Sequence, residues 1–209
     1  MKGFFITLEG PDGTGKTTQA KLLLQFLEEQ GRPGIHTFEP GGTTIGRAIR
    51  ELVLSTRWGQ MAGRTELLLM AADRAQHVAE VIRPALAEGL IVVCERYIDS
   101  TLAYQGYGLG EDLSLIRQAN ELATGGLLPD LTIVLDVEPA TAQSRTAGRT
   151  QDRIEGRGAE FQARVREGYR KLCAAFPERM HLICAEGDVQ VVHRRIVQLV
   201  ASRIGGRGK

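Results

Sequence analysis

Short apolar runs alternate along this chain with longer stretches of helical period. The runs at residues 4–8, 35–38, 90–94, 131–137 and 180–184 are rich in apolar and β-branched residues, and each predicts a strand. Strands that alternate with helices are typical of a parallel sheet covered by helices. The pattern therefore predicts an α/β fold, a three-layer α/β/α sandwich with a five-stranded parallel sheet.

Helical period fills the intervals between these runs. Pro84 lies near the end of the third predicted helix and is expected to kink it. Residues 104–110, which contain three glycines, and residues 146–158, which are basic, lack apolar period and are expected to be loops. The predicted helices cover residues 16–30, 43–54, 65–88, 114–124, 160–176 and 189–204.

Length and composition narrow the class of protein. The 209 residues suit one globular domain, and 43% apolar with 24% charged residues argues against general disorder. A formal net charge of +1 indicates no general surface for nucleic acid, and no apolar stretch is long enough to cross a membrane. Three cysteines without C-x-x-C spacing and four scattered histidines indicate reduced thiols and no structural metal. We therefore expect a soluble, unprocessed, cytoplasmic protein.

A glycine-rich loop, GPDGTGKT at residues 10–17, fits G-x-x-x-x-G-K-[ST] between a predicted strand and a predicted helix. The N–H groups of such a loop and the helix N-terminus bind phosphate. Lys16 is expected to bridge the β- and γ-phosphates of a nucleoside triphosphate, and Thr17 to ligate Mg²⁺. The residues predicted to bind this nucleotide are Gly10, Asp12, Gly13, Thr14, Gly15, Lys16, Thr17 and Thr18.

Three classes of protein share this loop: switch GTPases, mechanical ATPases and small-molecule kinases. A GTPase reads guanine with N-K-x-D, but the single asparagine, Asn120, is followed by Glu-Leu-Ala. A mechanical ATPase acts on a polymer or a partner domain, for which the size and charge balance leave no obvious surface. Phosphoryl transfer to a small acceptor is the class that fits.

Arginines at three separate places suit an anionic acceptor. A kinase that brings two phosphate-bearing molecules together needs cations beyond Lys16 to offset their repulsion. Arg50 lies on a predicted helix, and Arg96 follows a predicted strand at the edge where ligands of open α/β sheets bind. The third place is a basic run, expected to form a mobile flap over the triphosphate, with Arg145, Arg149, Arg153 and Arg157.

The stretch CERYIDSTLAYQGY at residues 94–107 resembles the signature of bacterial thymidylate kinases. Four further motifs are similar to that family and occur in its order. The resemblance covers residues 4 to about 155. The further motifs are EPGGT at 39–43, MAADR at 70–74, PDLT at 129–132 and DRIE at 152–155.

This resemblance implies a P-loop nucleoside monophosphate kinase fold and ATP-dependent conversion of dTMP to dTDP with Mg²⁺. It also implies one domain over residues 1–209 with a lid at about residues 142–158, and a homodimer. The apolar helix at residues 65–87 could supply the dimer face.

The family pattern also implies roles for residues on the acceptor side. Asp12 would meet the 3′-hydroxyl of the deoxyribose, Arg74 would hydrogen-bond a thymine carbonyl, and Tyr104 would crowd the 2′ position. Arg50 and Arg96 would hold the acceptor phosphate. The predicted substrate-binding residues are Asp12, Phe38, Glu39, Pro40, Arg50, Met70, Arg74, Arg96, Ser100, Thr101, Tyr104 and Gln105.

Position 13 bears on the predicted catalytic residues. Some family members place an arginine there, whereas this chain has Gly13, which resembles the subclass whose flap supplies the transition-state cation. Arg149 and Arg153 are both candidates. The predicted catalytic residues are Lys16, Glu95, Arg96, Arg149 and Arg153, and the predicted metal ligands are Thr17 and Glu95.

Three positions depart from the commonest family pattern. Phe38 replaces an arginine, Met70 replaces an aromatic residue that stacks on the base, and Glu95 replaces an aspartate. The first two leave open a kinase for another deoxynucleoside monophosphate, such as dUMP or dGMP. A non-catalytic nucleotide-binding regulator is the alternative from a different class.

Overall fold

A parallel sheet forms the centre of the molecule in a computed structural model, which describes residues 3–58, 60–148 and 150–205. Its five strands follow the order β2-β3-β1-β4-β5. The five predicted strands are confirmed, each to within one residue at either end. They are β1 (Phe4–Glu9), β2 (Gly34–Phe38), β3 (Ile91–Glu95), β4 (Leu131–Asp136) and β5 (Met180–Cys184).

The central strands are buried on both faces. Every residue of β1 and β3 is buried, as expected for a parallel sheet covered on each side. Phe4, Ile6 and Leu8 pack on one face of the sheet with Leu23, whereas Phe5 packs on the opposite face. This alternation confirms the three-layer α/β/α sandwich.

Helices cover both faces of this sheet. One hydrophobic core lies between the sheet and the helices α1 (Lys16–Glu29) and α9 (Val189–Gly205). On the other side of the sheet pack α3 (Gly63–His77), α6 (Leu113–Thr124) and α8 (Ala159–Ala175). The described part of the chain contains no helix long and apolar enough to cross a membrane. The α-helices are α1 (Lys16–Glu29), α2 (Thr44–Leu54), α3 (Gly63–His77), α4 (Arg83–Ala87), α5 (Ile98–Thr101), α6 (Leu113–Thr124), α7 (Pro139–Thr146), α8 (Ala159–Ala175) and α9 (Val189–Gly205).

The helix predicted at residues 65–88 consists of three consecutive segments. Between α3 and α4 the backbone widens into a π-helical turn at Val78–Ile82. Pro84 lies in the first turn of α4, immediately after this turn. Because proline has no N–H to donate to the preceding turn, a change of hydrogen-bond pattern next to it is expected.

The prediction of a loop at residues 104–110 is wrong. Leu102–Gly108 is a buried π-helical segment that continues α5. Its glycines provide close packing, because a Cβ on Gly108 would meet the ring of Phe161. The basic stretch at residues 146–158 is largely irregular where it is described, with one 3₁₀ turn at Glu155–Arg157.

Candidate active site

The P-loop joins β1 to α1 at the carboxyl edge of the sheet. Gly15 precedes α1 with φ 91°, and Gly13 has φ 77°, a region that favours glycine. A Cβ on Gly13 would also collide with the backbone of Ala142. The glycine at position 13 is therefore required by the local packing between the loop and α7.

Lys16 lies folded against its own loop. Its Nζ donates to the carbonyl oxygens of Gly10 at 2.9 Å and Pro11 at 2.8 Å. Burial and the nearby charge of Arg96 lower the pKa of Lys16 to about 8. An ammonium in such a dry site interacts strongly with any anion that enters it.

Glu95 ends β3 directly beside the P-loop helix. Its Oε2 accepts a hydrogen bond of 2.7 Å from the Thr17 hydroxyl, and its Oε1 lies 2.8 Å from Nε2 of His36. Burial alone would raise the pKa of Glu95, but these two partners outweigh it and lower the pKa. The two predicted metal ligands are thus brought together, and His36 is a supporting residue that the sequence analysis missed.

Arg96 has an unusual backbone. Its φ is 64°, which for a residue other than glycine costs of order 1–3 kcal/mol and persists only where the surroundings enforce it. Its guanidinium donates to Oδ1 of Asp12 at 2.7 Å and to Ser100 at 3.3 Å, and it lies 4.9 Å from the ring centroid of Tyr104. The side chain therefore links the P-loop to the segment after β3.

Glu9 holds the segment after β3 in place. It is a second supporting residue that the sequence analysis missed. One carboxylate oxygen accepts from the Tyr97 N–H at 2.8 Å, and the other from the hydroxyls of Ser100 at 2.5 Å and Tyr169 at 2.9 Å. Burial, with the charge of Asp99, raises the pKa of Glu9 to about 7. A carboxylate placed between a buried apolar run and the P-loop is the sequence signal that could have identified it.

Two adjoining clefts open at this edge. The P-loop cleft is lined by six of the eight predicted nucleotide-binding residues, all except Gly10 and Thr14. The arginine cleft lies beside it and is lined by every predicted substrate-binding residue except Phe38. Phe38 lines the P-loop cleft instead, with Arg50 at 5.9 Å from its ring centroid. The described residues that line both clefts are Asp12, Glu39, Arg50, Leu54, Arg96 and Asp152.

Arg74 lies at the bottom of the arginine cleft. It is 2% exposed and donates to Glu39 at 2.9 Å, to Asn120 at 2.6 Å and to the carbonyl of Tyr97 at 3.0 Å. His77 holds the other oxygen of Glu39 at 2.9 Å. These contacts fix the guanidinium in one orientation.

The predicted flap arginines have different positions. Arg149 lies outside the described residues. Arg153 is described, but it lines neither cleft. Its guanidinium instead donates to Glu66 at 2.5 Å and to the carbonyl of Val53 at 2.8 Å. Arg145 does line the P-loop cleft, and its Nη1 lies 3.5 Å from the carbonyl oxygen of Gly13.

Comparison with known proteins gives a consistent assignment. A family model described as Thymidylate kinase matches residues 8–196. The chain is 47% identical over 205 residues to the thymidylate kinase of Exiguobacterium sp., covering 98% of this chain and 97% of the relative. It is 49% identical over 200 residues to that of Pelotomaculum thermopropionicum, covering 95% and 93%. The crystal structure of thymidylate kinase from Ehrlichia chaffeensis matches with a TM-score of 0.79 at 34% identity, covering 96% of this chain and 100% of that one. This chain belongs to the thymidylate kinase family.

Proposed function

We propose that this protein transfers the γ-phosphoryl group of ATP to dTMP and so produces dTDP. The observation that carries the proposal is the junction of the two clefts, where Arg96 donates to Asp12 of the P-loop at 2.7 Å. A donor bound at the P-loop and an acceptor bound in the arginine cleft would meet there. Positioning of this kind supplies much of the catalysis in phosphoryl transfer.

Cations from separate elements would offset the charge of the two nucleotides. Lys16 and the P-loop N–H groups bind the donor phosphates, and Arg50 and Arg96 bind the acceptor phosphate. Arg50 and Arg96 line both clefts, so they lie where the two phosphate groups approach. Arginine can donate two hydrogen bonds at once to such a group.

The residues at the P-loop cleft fit a magnesium ion. Thr17 and Glu95 supply a hydroxyl and an ionised carboxylate, which are oxygen ligands of the kind Mg²⁺ prefers. When bound, the ion neutralises charge that develops on the donor phosphates. His36 orients the carboxylate through its other oxygen.

The arginine cleft suits a deoxyribonucleotide that carries thymine. Arg74 offers donors to a base carbonyl, and Ser100, Thr101 and Gln105 line the same cleft. Tyr104 is held between Arg96 and Asp12, with its hydroxyl 3.4 Å from Oδ2 of Asp12. We assign it the exclusion of a 2′-hydroxyl, and we assign Asp12 the 3′-hydroxyl.

Between the two flap arginines, we assign the transition-state cation to Arg149. Arg153 is bound to Glu66 and Val53, which suits an anchor of the flap rather than a catalytic group. Substitution of each residue by alanine separates these roles. Arg149→Ala should lower kcat strongly, whereas Arg153→Ala should raise the KM for ATP.

We also propose a cytoplasmic homodimer. Cys94, Cys173 and Cys184 are free thiols, as expected for a reducing compartment. Leu68 on α3 is 65% exposed and Leu122 on α6 is 87% exposed, and these two helices pack on each other. Exposed apolar residues on neighbouring helices suit a subunit interface. Light scattering coupled to size exclusion measures the mass directly.

A substrate panel tests the proposed activity. Values of kcat/KM for dTMP, dUMP and dGMP with ATP and Mg²⁺ should be highest for dTMP. Met70 lines the arginine cleft and imposes less geometry than an aromatic ring, so a preference for another deoxynucleotide is the competing result. Absence of any nucleoside diphosphate product would favour a nucleotide-binding regulator.

A further inference from the structure

Glu66 is a buried carboxylate outside the residues that line the two clefts. It lies in the first turn of α3 and its side chain is fully buried. Its Oε1 accepts from Gln105 at 2.7 Å and from Arg157 at 3.0 Å. Its Oε2 accepts from Arg153 at 2.5 Å and from Arg157 at 2.5 Å. One carboxylate therefore holds a residue of the arginine cleft and two residues of the flap.

The charge of Glu66 follows from these partners. Burial alone would raise its pKa, but hydrogen bonds from Arg157 and Arg153 outweigh burial and lower the pKa. The carboxylate is therefore ionised and accepts hydrogen bonds without donating any. Removing its charge would leave two arginines without their buried partner, which is a costly change.

The ionised carboxylate determines the orientation of the Gln105 amide. The amide NH₂ must face Glu66, so the amide oxygen faces away from it. Gln105 lines the arginine cleft, and none of the described residues donates to its Oε1. An amide oxygen at this position accepts a hydrogen bond from the N3–H of thymine or uracil. It cannot donate to N3 of cytosine, which carries no proton.

The same carboxylate anchors the flap. Arg153 is also bound to α2, because its N–H donates to the carbonyl of Leu54 at 3.0 Å and its Nε to that of Val53 at 2.8 Å. Arg157 lies 5.1 Å from the ring centroid of Phe161. The base of the flap is thus packed against the protein, with Glu66 as its ionic partner.

We propose that Glu66 is a positioning residue that couples recognition of the base to the position of the flap. It orients Gln105 towards a pyrimidine with a protonated N3, and it holds Arg153 and Arg157 with the same two oxygens. The inference rests on the proposed dTMP kinase activity. It adds that binding of the acceptor nucleotide affects the position of the flap through Glu66.

The first test measures base selectivity in Glu66→Gln, which keeps the shape and removes the charge. The ratio of kcat/KM for dTMP to that for dCMP should fall about tenfold or more. Glu80→Gln is the matched control, because Glu80 also accepts from a glutamine, Gln76 at 2.8 Å, but on the exposed surface. Its ratio should equal that of the parent protein.

A double-mutant cycle separates positioning from general destabilisation. If Glu66 acts on the base through Gln105, adding Glu66→Gln to Gln105→Ala lowers the selectivity ratio no further. Independent, additive losses would overturn the proposal. If the Glu66 variant does not fold, Arg157→Gln is the second variant, because it removes a partner of Glu66 on the flap. This substitution should also lower the selectivity ratio.

Hydrogen exchange tests the coupling to the flap. Addition of dTMP alone should slow exchange of the amides of residues 152–158 in the parent protein and not in Glu66→Gln. Equal protection in both proteins would overturn the coupling. Failure of the parent protein to phosphorylate dTMP would instead contradict the proposed function, so the two failures are distinguishable.

Discussion

Arg96 and Asp12 are joined by a hydrogen bond of 2.7 Å between Nη2 and Oδ1, which connects the end of β3 to the P-loop. Arg96 keeps a left-handed backbone with φ 64° to reach this position. Its N–H donates to the carbonyl of Leu8 at 2.9 Å, and Glu9 holds the next residue, Tyr97. Contacts from β1 thus stabilise a strained residue at the junction of the clefts.

The first prediction concerns the fork geometry of Arg96. Arg96→Lys keeps the charge but loses the paired donors, so kcat/KM for dTMP should fall by about 100-fold. Arg166→Lys is the control, because Arg166 donates to the carboxylate of Asp136 at 2.6 and 3.1 Å and lines neither cleft. Equal losses in the two variants would contradict the role given to Arg96.

The second prediction concerns the length of Glu95. Its carboxylate reaches both Thr17 and His36, and Glu95→Asp shortens the side chain by one methylene, so one of these contacts is lost. The Mg²⁺ concentration for half-maximal rate should rise by about tenfold. The steady-state rate as a function of Mg²⁺ measures this. Unchanged kcat together with unchanged Mg²⁺ dependence would refute the assignment.

The third prediction concerns the pH dependence of stability at Glu9. Burial raises the pKa of this carboxyl from the ordinary 4.5 to about 7. Between about pH 4.5 and 7, the folded protein therefore binds more protons than the unfolded chain. The stability that the raised pKa of Glu9 contributes is fully present below about pH 4.5, and it is lost as the pH rises through 7.

Glu9→Gln mimics the protonated side chain and isolates this effect. The parent protein should lose about 3 kcal/mol more stability than the variant between pH 4.5 and 8, as an upper value. Urea unfolding at several pH values measures the difference. Parallel pH profiles for the two proteins would show that folding does not raise the pKa of Glu9.

The fourth prediction concerns discrimination against ribonucleotides. Tyr104→Phe removes the hydroxyl that lies 3.4 Å from Asp12 and opens space there, so selectivity for dTMP over ribothymidine monophosphate should fall by about tenfold. Tyr107→Phe is the control, since Tyr107 lies on the same segment and lines neither cleft. The ratio of kcat/KM for the two nucleotides measures the effect.

The strands and the P-loop were predictable because their signals are local. Residues buried on both faces of a parallel sheet form unbroken apolar runs, as β3 does, and the P-loop is contiguous in sequence. The prediction of a loop at residues 104–110 is wrong because glycine serves close packing as well as turns. There Gly106 and Gly108 allow close packing against Leu113 and Phe161.

The supporting residues of the site could not be predicted in the same way. His36 reaches Glu95 across 59 positions, Gln105 reaches Glu66 across 39, and Tyr169 reaches Glu9 across 160. Such pairs depend on how distant elements pack, which no local pattern records. The family motifs identified residues that face the clefts but not those that hold them in place.

Transfer of label from γ-labelled ATP to dTMP tests the central claim most directly. The claim is that the donor binds at Lys16 and the acceptor beside Arg96, so the label should appear in dTDP in the parent protein. The rate should fall by at least about 100-fold in Lys16→Ala. Absence of labelled dTDP in the parent protein, or an equal rate in Lys16→Ala, would contradict the account.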